Sequence, residues 1–178
     1  MPSKIIFLDI DGVLNCDTSK SRCGRYIGID RDKTQRLARI VKETNAAIVL
    51  TSTWKEGWKP MRQYDAEEYP HAKYLDKHLR KKGDGLHCID KTREKWPNAR
   101  GMGIKAWLAV HPEVTDWIVL DDIYFPDFAR FDIDDHLILT SPKDGLTEEC
   151  VQIAIDMLQG KRTKIFYTHD EEWDIIKE

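Results

Sequence analysis

Residues 4–12 read KIIFLDIDG, an apolar run that ends abruptly at two aspartates and a glycine. Residues 4–9 are rich in β-forming side chains and apolar at both odd and even positions, which is typical of a buried central strand in a parallel sheet. Asp9 and Asp11 stand two residues apart, a spacing that directs both carboxylates to one side of an extended segment. Gly12 then allows a sharp turn. The stretch predicts a strand that delivers two acids to one edge of a sheet.

Apolar runs and helical periodicities alternate along the rest of the chain. Further strands are predicted at residues 46–51, 116–120 and 136–140. Helices are predicted at residues 30–45, 71–82, 101–111 and 147–159. This alternation implies parallel crossovers and an α/β fold, a three-layer sandwich around a mostly parallel, Rossmann-like sheet. Ligands of such sheets bind at the carboxyl ends of the strands, where these runs place Asp and Thr.

The length of 178 residues predicts one domain. We expect residues 1–160 to form it, with a small insertion at 55–99. Residues 161–178 are predicted to be a C-terminal extension, in which 165–167 form a candidate edge strand.

The composition excludes several classes of protein. No apolar run approaches the roughly 18–20 residues of a membrane span, and the first residues lack the cleavage pattern of a secretory signal. The cysteines show neither a CxxC pair nor zinc-ligand spacing, and we expect them to be free thiols in a reducing cytoplasm. They are Cys16, Cys23, Cys88 and Cys150.

Asp9 and Asp11 have the residue types that nucleophilic catalysis requires. One carboxylate could act as the nucleophile while its neighbour serves as general acid and base. The alternative is a DxDG turn that binds a metal or shapes the chain without catalysis.

A second acidic pair, Asp121-Asp122, follows the predicted strand at 116–120. Adjacent acids at the end of a buried strand are costly unless they are protonated or paired with a cation, and Mg²⁺ prefers such oxygen ligands. A solvated strand end or a helix cap is the alternative. Thr51 and Ser52 follow another strand, and their hydroxyls suit phosphoryl oxygens, although such clusters are also common in turns.

A phosphate clamp also needs a cation, and Arg100 and Lys105 flank the start of a predicted helix. If that helix reaches back to Arg100, this residue falls four positions before Ile104, on the inward stripe. Lys105 is rotated by about 100 degrees from Ile104, toward the flank. We therefore favour Arg100 as the inward cation and keep Lys105 as the second choice.

Four stretches, in this order, resemble the motifs of the haloacid dehalogenase (HAD)-like superfamily of phosphotransferases. They are FLDIDGVLN (7–15), VLTSTWK (49–55), the cation-bearing RGMGIKAWL (100–108) and IVLDD (118–122). Trp54-Lys55 after the hydroxyl run, and RGxxIxxWL before the paired aspartates, are similar to the HAD domains of RNA-repair proteins and polynucleotide kinase-phosphatases. Lys55 stands where an Arg is expected.

The resemblance implies a fold with a minimal cap and a Mg²⁺-dependent phosphatase. It implies that Asp9 attacks phosphorus to give an aspartyl-phosphate, while Asp11 protonates the leaving oxygen and then activates water. Mg²⁺ is expected on Asp9, the main-chain carbonyl of Asp11, and Asp121 or Asp122. Phosphate oxygens are expected to meet Thr51 and the cation at Arg100 or Lys105, and substrate binding is expected at Gly12, Ser52 and Lys55.

The net charge is −3, but the basic and acidic residues are unevenly distributed along the chain. Residues 73–105 carry 10 basic and 4 acidic side chains, and residues 112–156 carry 2 basic and 12 acidic ones. The basic stretch predicts contact with RNA or DNA ends, with a solvated face as the alternative. Its candidate contacts are Arg80, Lys81, Lys82, Lys91, Arg93 and Lys95, with Trp58 and Trp96 stacking on a base. Rival functions are a phosphatase for small esters and a catalytically silent binding module.

Overall fold

A parallel sheet forms the centre of the molecule. The computed structural model describes residues 2–94, 98–162 and, for the backbone, 167–168. Its strands among these residues are β1 (Lys4–Leu8), β4 (Ala47–Leu50), β5 (Cys88–Lys91), β6 (Asp116–Asp121), β7 (Leu137–Leu139) and β8 (Tyr167–Thr168), while β2 (Arg22–Cys23) and β3 (Tyr26–Ile27) form a separate antiparallel hairpin. The strands of the sheet follow the order β5-β4-β1-β6-β7-β8, and every neighbouring pair is parallel.

Helices cover both faces of the sheet, so the predicted three-layer α/β fold is confirmed. They are α1 (Arg31–Thr44), α2 (Pro70–Lys82), α3 (Arg100–Ala109) and α4 (Glu148–Leu158). Even-numbered residues of β1, such as Ile6 and Leu8, share a core with α1, α2 and α4. Odd-numbered residues, such as Ile5 and Phe7, share a second core with α3 and the segment that follows β6. Both faces of β1 are buried, which is why its sequence is apolar without alternation.

Strand β5 is the main departure from the predicted elements. The stretch 55–99, predicted as an insertion of helices and loops, supplies both α2 and this strand, which pairs with β4 at one edge of the sheet. Only Cys88 is buried in the strand sequence CIDK. The sequence therefore contains no apolar run from which β5 could have been predicted. A half-exposed edge strand does not need one.

The opposite edge of the sheet is β8, which pairs with β7 at Tyr167–Thr168. The edge strand predicted at 165–167 overlaps it at Tyr167, and residues 165 and 166 lie outside the described residues. All four cysteines are buried free thiols. Within the ranges that the structure describes, none of the helices is both long and apolar enough to cross a membrane.

Candidate active site

The carboxyl edge of the sheet brings the predicted site residues together. Backbone pairing continues one residue beyond the strands: the Asp9 amide donates to the Leu120 carbonyl at 2.9 Å, and the Thr51 amide donates to the Leu8 carbonyl at 2.9 Å. Asp9, Thr51 and Asp121 therefore lie side by side, each at the end of its strand. This is the edge at which open parallel sheets bind ligands.

Asp9 lies at the centre of this edge and is nearly inaccessible, with 5% of its surface exposed. Its Oδ1 lies 3.0 Å from Arg100 Nη1, and the Ser52 hydroxyl also favours the charged form of the carboxylate. Burial raises the pKa of Asp9, and the Arg100 charge opposes that rise. The Asp9 carboxylate is thus desolvated beside a fixed cation. Because the cation is already in place, a phosphate could approach this carboxylate with little rearrangement of the surrounding groups.

Asp11 is held by two side chains on opposite sides. Trp54 Nε1 donates to Asp11 Oδ2 at 2.9 Å, and Asn15 Nδ2 donates to Oδ1 at 2.9 Å. Asn15 Oδ1 in turn accepts the Gly12 amide at 2.9 Å. Each carboxylate oxygen of Asp11 therefore has its own donor, and the orientation of the group is fixed.

Three carboxylates at the site converge closely enough to share one cation. An oxygen from each of Asp9, Asp121 and Asp122 lies within 4.8 Å of the other two. Burial, followed by the neighbouring Asp9 charge, raises the pKa of Asp121 well above its usual value and that of Asp122 to about 7. Mutual repulsion of this kind is relieved by a bound cation. The all-oxygen donor set fits a hard divalent ion.

Gly12 closes the turn against this acidic cluster. Its φ is 65°, in the left-handed region, and a Cβ at this position would overlap the Asp122 carboxylate. The Thr140 hydroxyl donates to the Gly12 carbonyl at 2.7 Å, which ties the turn to the end of β7. Only glycine offers both this backbone conformation and room for Asp122.

Arg100, and not Lys105, is the cation that the structure brings to the carboxylates. Arg100 Nη1 lies 2.6 Å from Asp121 Oδ2 as well as 3.0 Å from Asp9 Oδ1. The alternative of Lys105 is corrected: its ammonium lies 5.8 Å from the centre of the Trp117 ring. Trp117 lies four residues before Asp121 on β6, roughly 13 Å along the strand. Arg100 and Lys105 point in different directions because Lys105 is rotated around the helix axis, away from the inward stripe that contains Arg100.

The remaining predicted contacts lie around the same edge. Thr51 is fully buried and accepts a hydrogen bond from Thr92 at 3.2 Å, and Ser52 caps the following turn by accepting from the Trp54 amide at 3.3 Å. Lys55 Nζ donates to Thr92 at 3.2 Å and forms an ion pair with Glu94. Burial lowers the pKa of Lys55, and Glu94 opposes that shift.

Several side chains of the site were not predicted to belong to it. Asn15 and Trp54 orient Asp11, and Glu94 holds Lys55. Asp127 caps α3 by accepting from two of its amides, at 3.0 and 2.9 Å, and thereby fixes the helix that carries Arg100. Asn15 and Trp54 stand inside the motifs quoted above, so their position was a usable signal. No sequence pattern around Glu94 or Asp127 indicates a role at the site. Glu94 lies 39 residues from its partner Lys55, and Asp127 about 25 residues from the amides that it caps.

One predicted stacking residue is wrong. Trp58 is 1% exposed and its Nε1 donates to Asp76 at 3.1 Å, so its ring is packed in the core and unavailable to a base. The aromatic groups beside the site are instead Tyr26 and His71, which line a small cavity of about 130 Å³ with Trp54. Lys95 and Trp96 lie outside the described residues.

A comparison with models of protein families identifies the family of the chain. The model of the family described as "HAD domain in Swiss Army Knife RNA repair proteins" matches residues 5–151, which include every residue of the site described above. Among curated proteins and solved structures, none matches the chain. The match covers most of the chain, and the parallel sheet with its carboxylates at the carboxyl edge agrees with it. The chain therefore belongs to the family of HAD domains in Swiss Army Knife RNA repair proteins.

Proposed function

We propose that this HAD domain is a Mg²⁺-dependent phosphomonoester hydrolase that removes a terminal phosphate from a polynucleotide. The observation that carries the proposal is the pairing of Asp9 with Arg100 at 3.0 Å, two residues from an Asp11 whose two oxygens are both held. One acid then stands beside a phosphate-binding cation, and the other is positioned to exchange a proton. Their placement at one edge of the sheet supports two roles for two carboxylates.

The first chemical step transfers the phosphoryl group to Asp9. A carboxylate oxygen of Asp9 attacks phosphorus, the bond from phosphorus to the leaving oxygen breaks, and an aspartyl-phosphate forms. Asp11 donates a proton to the leaving oxygen. Arg100, with hydroxyl groups of Thr51 and Ser52, stabilises the equatorial oxygens as charge builds on them.

The second step regenerates the enzyme. Asp11, now ionised, takes a proton from water, and the water oxygen attacks phosphorus. The bond between phosphorus and Asp9 breaks, and inorganic phosphate leaves. Asp9, Asp121 and Asp122, with the main-chain carbonyl of Asp11, would hold Mg²⁺, which supplies positive charge to offset the approach of two anions.

A polynucleotide end is the substrate that the surroundings of the site favour. The segment between β1 and α1 contributes only the hairpin Arg22–Ile27, too small to enclose a substrate. The family to which the chain belongs is described by RNA repair. We extend the proposal to action in the cytoplasm, because four unpaired cysteine thiols are usual in a reducing compartment.

Phosphate release with Mg²⁺ tests the proposal directly. We expect turnover of 3′- or 5′-phosphorylated oligonucleotides above that of mononucleotides and sugar phosphates, and loss of turnover with EDTA or in Asp9→Asn. Equal turnover of oligonucleotides and mononucleotides would instead identify a small-ester phosphatase. No turnover of any phosphomonoester, including an aryl phosphate, would identify a silent binding module.

A further inference from the structure

We propose that the exposed face of α2, with Arg62 beside it, is a track for the phosphodiester backbone of a single nucleic-acid strand. The face carries Lys73, Lys77, Arg80 and Lys81, spaced at i, i+4, i+7 and i+8, so the four side chains form one stripe on the helix. We call these four residues and Arg62 the α2 basic face. All five are exposed. They line one open groove of about 560 Å³.

The α2 basic face is distinguished by charges that form no ion pair with the acids of residues 2–94 and 98–162. In the ranges with described side chains, none of its five residues takes part in an ion pair or a side-chain hydrogen bond. On α1, by contrast, Arg36 pairs with Asp32 at 3.0 Å and with Glu148 at 2.9 Å. Arg39 pairs with Glu43 at 2.8 Å. The cations of α1 are thus neutralised by neighbouring acids, whereas those of the α2 basic face have no such partner among the described side chains and remain available to an anionic one.

The one acid in the groove does not offset these charges. Asp76 is buried, and its two oxygens accept Trp58 Nε1 at 3.1 Å and the Tyr64 hydroxyl at 2.7 Å. Its carboxylate therefore has two neutral donors in the core and does not reach the cations at the surface. The same bond fixes the Tyr64 ring in the wall of the groove.

Two of the predicted nucleic-acid contacts in the basic stretch 73–105 are not available to a nucleic acid in the structure. Lys82 Nζ donates to the Ile29 carbonyl at 2.7 Å, and Lys91 Nζ donates to the Lys55 carbonyl at 2.9 Å. Both are occupied within the fold. The track therefore runs along α2 and Arg62, and not along the whole stretch from residue 80 to residue 95.

The amino end of α2 lies beside the candidate active site. A His71 ring nitrogen lies 2.8 Å from the Glu56 carbonyl, and its ring contacts that of Trp54, which donates to Asp11. From Lys73 to Lys81 the stripe extends roughly 12 Å along the helix. With one phosphate per about 3.4 Å of a stacked strand, it spans about four phosphates. The track thus begins next to the site and leads away from it.

This inference rests on the proposed function only for the direction of the strand toward Asp9, and binding tests it separately. The probe is a fluorescein-labelled 12-nucleotide single-stranded RNA, with anisotropy measured on the full chain over a series of salt concentrations. The variant is K77Q/R80Q. The matched control is R36Q/R39Q, which removes the same charge from α1. Turnover of an aryl phosphate in both variants verifies that the site is intact.

We expect K77Q/R80Q to weaken RNA binding at 0.1 M salt by roughly tenfold or more, and to reduce the slope of log K against log salt by about 1.4, for two lost phosphate contacts. R36Q/R39Q should change binding less than twofold. Equal losses in the two variants would overturn the track. So would RNA binding that is absent while vesicles containing phosphatidylserine bind.

The two proposals fail in different ways. If K77Q/R80Q weakens RNA binding but no oligonucleotide loses phosphate, the track stands and the proposed function fails. If RNA binding and the kcat/KM for oligonucleotides are both the same in K77Q/R80Q as in the unmodified protein, the function stands and the track fails.

Discussion

The indole of Trp54 donates a hydrogen bond to Asp11 at 2.9 Å, from the turn after β4 to the turn after β1. A side chain that fixes the proposed acid-base group should affect turnover more than substrate binding. We predict that Trp54→Phe, which keeps the ring but removes the donor, lowers kcat about tenfold, the effect of one lost hydrogen bond to a charged group. KM for an aryl phosphate should change little. Steady-state kinetics measures both.

Trp58→Phe provides the matched control for this variant. Trp58 also donates its indole N–H to a carboxylate, but to that of Asp76 and not to that of Asp11. Both variants lose one hydrogen bond from a buried indole, so both should lower the melting temperature. Only Trp54→Phe should lower kcat. Equal kcat values in the two variants would show that Trp54 has a structural role alone.

Arg100 is the second residue whose role can be separated from folding. Its guanidinium contacts Asp9 and Asp121 and stacks on Phe125, with the guanidinium carbon 4.3 Å from the ring centre. Arg100→Lys keeps the charge but replaces the flat guanidinium, whose Nη1 contacts both acids and whose carbon lies over Phe125, with a compact ammonium. We predict a loss of roughly 10²-fold in kcat/KM for an aryl phosphate, the scale of a lost transition-state donor.

Lys105→Met tests the other cation of the same helix. Because the Lys105 ammonium lies over Trp117 and away from the carboxylates, we expect its kcat/KM to stay within about twofold of the unmodified protein. A large loss in Lys105→Met with an active Arg100→Lys would reverse the assignment. Circular dichroism of both variants verifies folding.

The residues that could be predicted from sequence are those whose placement is local. Asp9 and Asp121 end apolar runs, so a parallel sheet necessarily brings them to its carboxyl edge. Arg100 followed from helical phase, since the inward stripe of α3 contains Ile104 and Trp107 and extends back to it. In each case the position within a strand or helix, together with the fold class, was enough to place the residue at the carboxyl edge of the sheet.

The residues that could not be predicted depend on contacts between distant segments. Glu94 pairs with Lys55 across 39 residues, from a stretch without a recognisable pattern. The Trp58 interpretation was wrong because the residues around it show no periodicity that separates a buried ring from an exposed one. Whether the basic residues of 73–105 are neutralised also depends on which acids the fold brings near them, which composition does not show.

The acidic cluster predicts that the stabilising effect of a divalent ion depends on pH. The pKa of Asp122 is raised to about 7 in the fold from an ordinary value of 3.8, so the folded state binds more protons between these values. Stability of the metal-free protein should therefore fall as pH rises from about 4 to about 7. We expect Mg²⁺ to offset the repulsion of the ionised acids. Its stabilising effect should be larger at pH 8 than at pH 5.

Thermal unfolding with EDTA or Mg²⁺ at the two pH values measures this response, and Asp122→Asn isolates it. The variant should melt higher than the unmodified protein in EDTA at pH 8, because one buried repulsive charge is gone. It should also gain less from Mg²⁺. An unchanged response to Mg²⁺ in this variant would remove Asp122 from the ligand set and leave Asp9 and Asp121.

Gly12 and Gly24 form a matched pair for testing the turn that supports the cluster. Both have left-handed backbones, with φ of 65° and 59°. A Cβ at Gly12 would overlap the Asp122 carboxylate, whereas a Cβ at Gly24 has no neighbour within 4 Å. Gly24→Ala should therefore cost only the backbone strain, about 1–2 kcal/mol in the free energy of unfolding. Gly12→Ala should cost more, because Asp122 must also move.

The response to Mg²⁺ separates the two glycine variants more sharply than stability does. Gly24→Ala should keep the full increase in melting temperature that we expect from Mg²⁺, since the acidic cluster is untouched in this variant. Gly12→Ala should lose most of that increase, because displacement of Asp122 breaks the convergence of three carboxylates. If Gly12→Ala responds to Mg²⁺ as fully as Gly24→Ala does, the ion does not depend on the position that Asp122 holds against Gly12. The cluster would then bind it through Asp9 and Asp121.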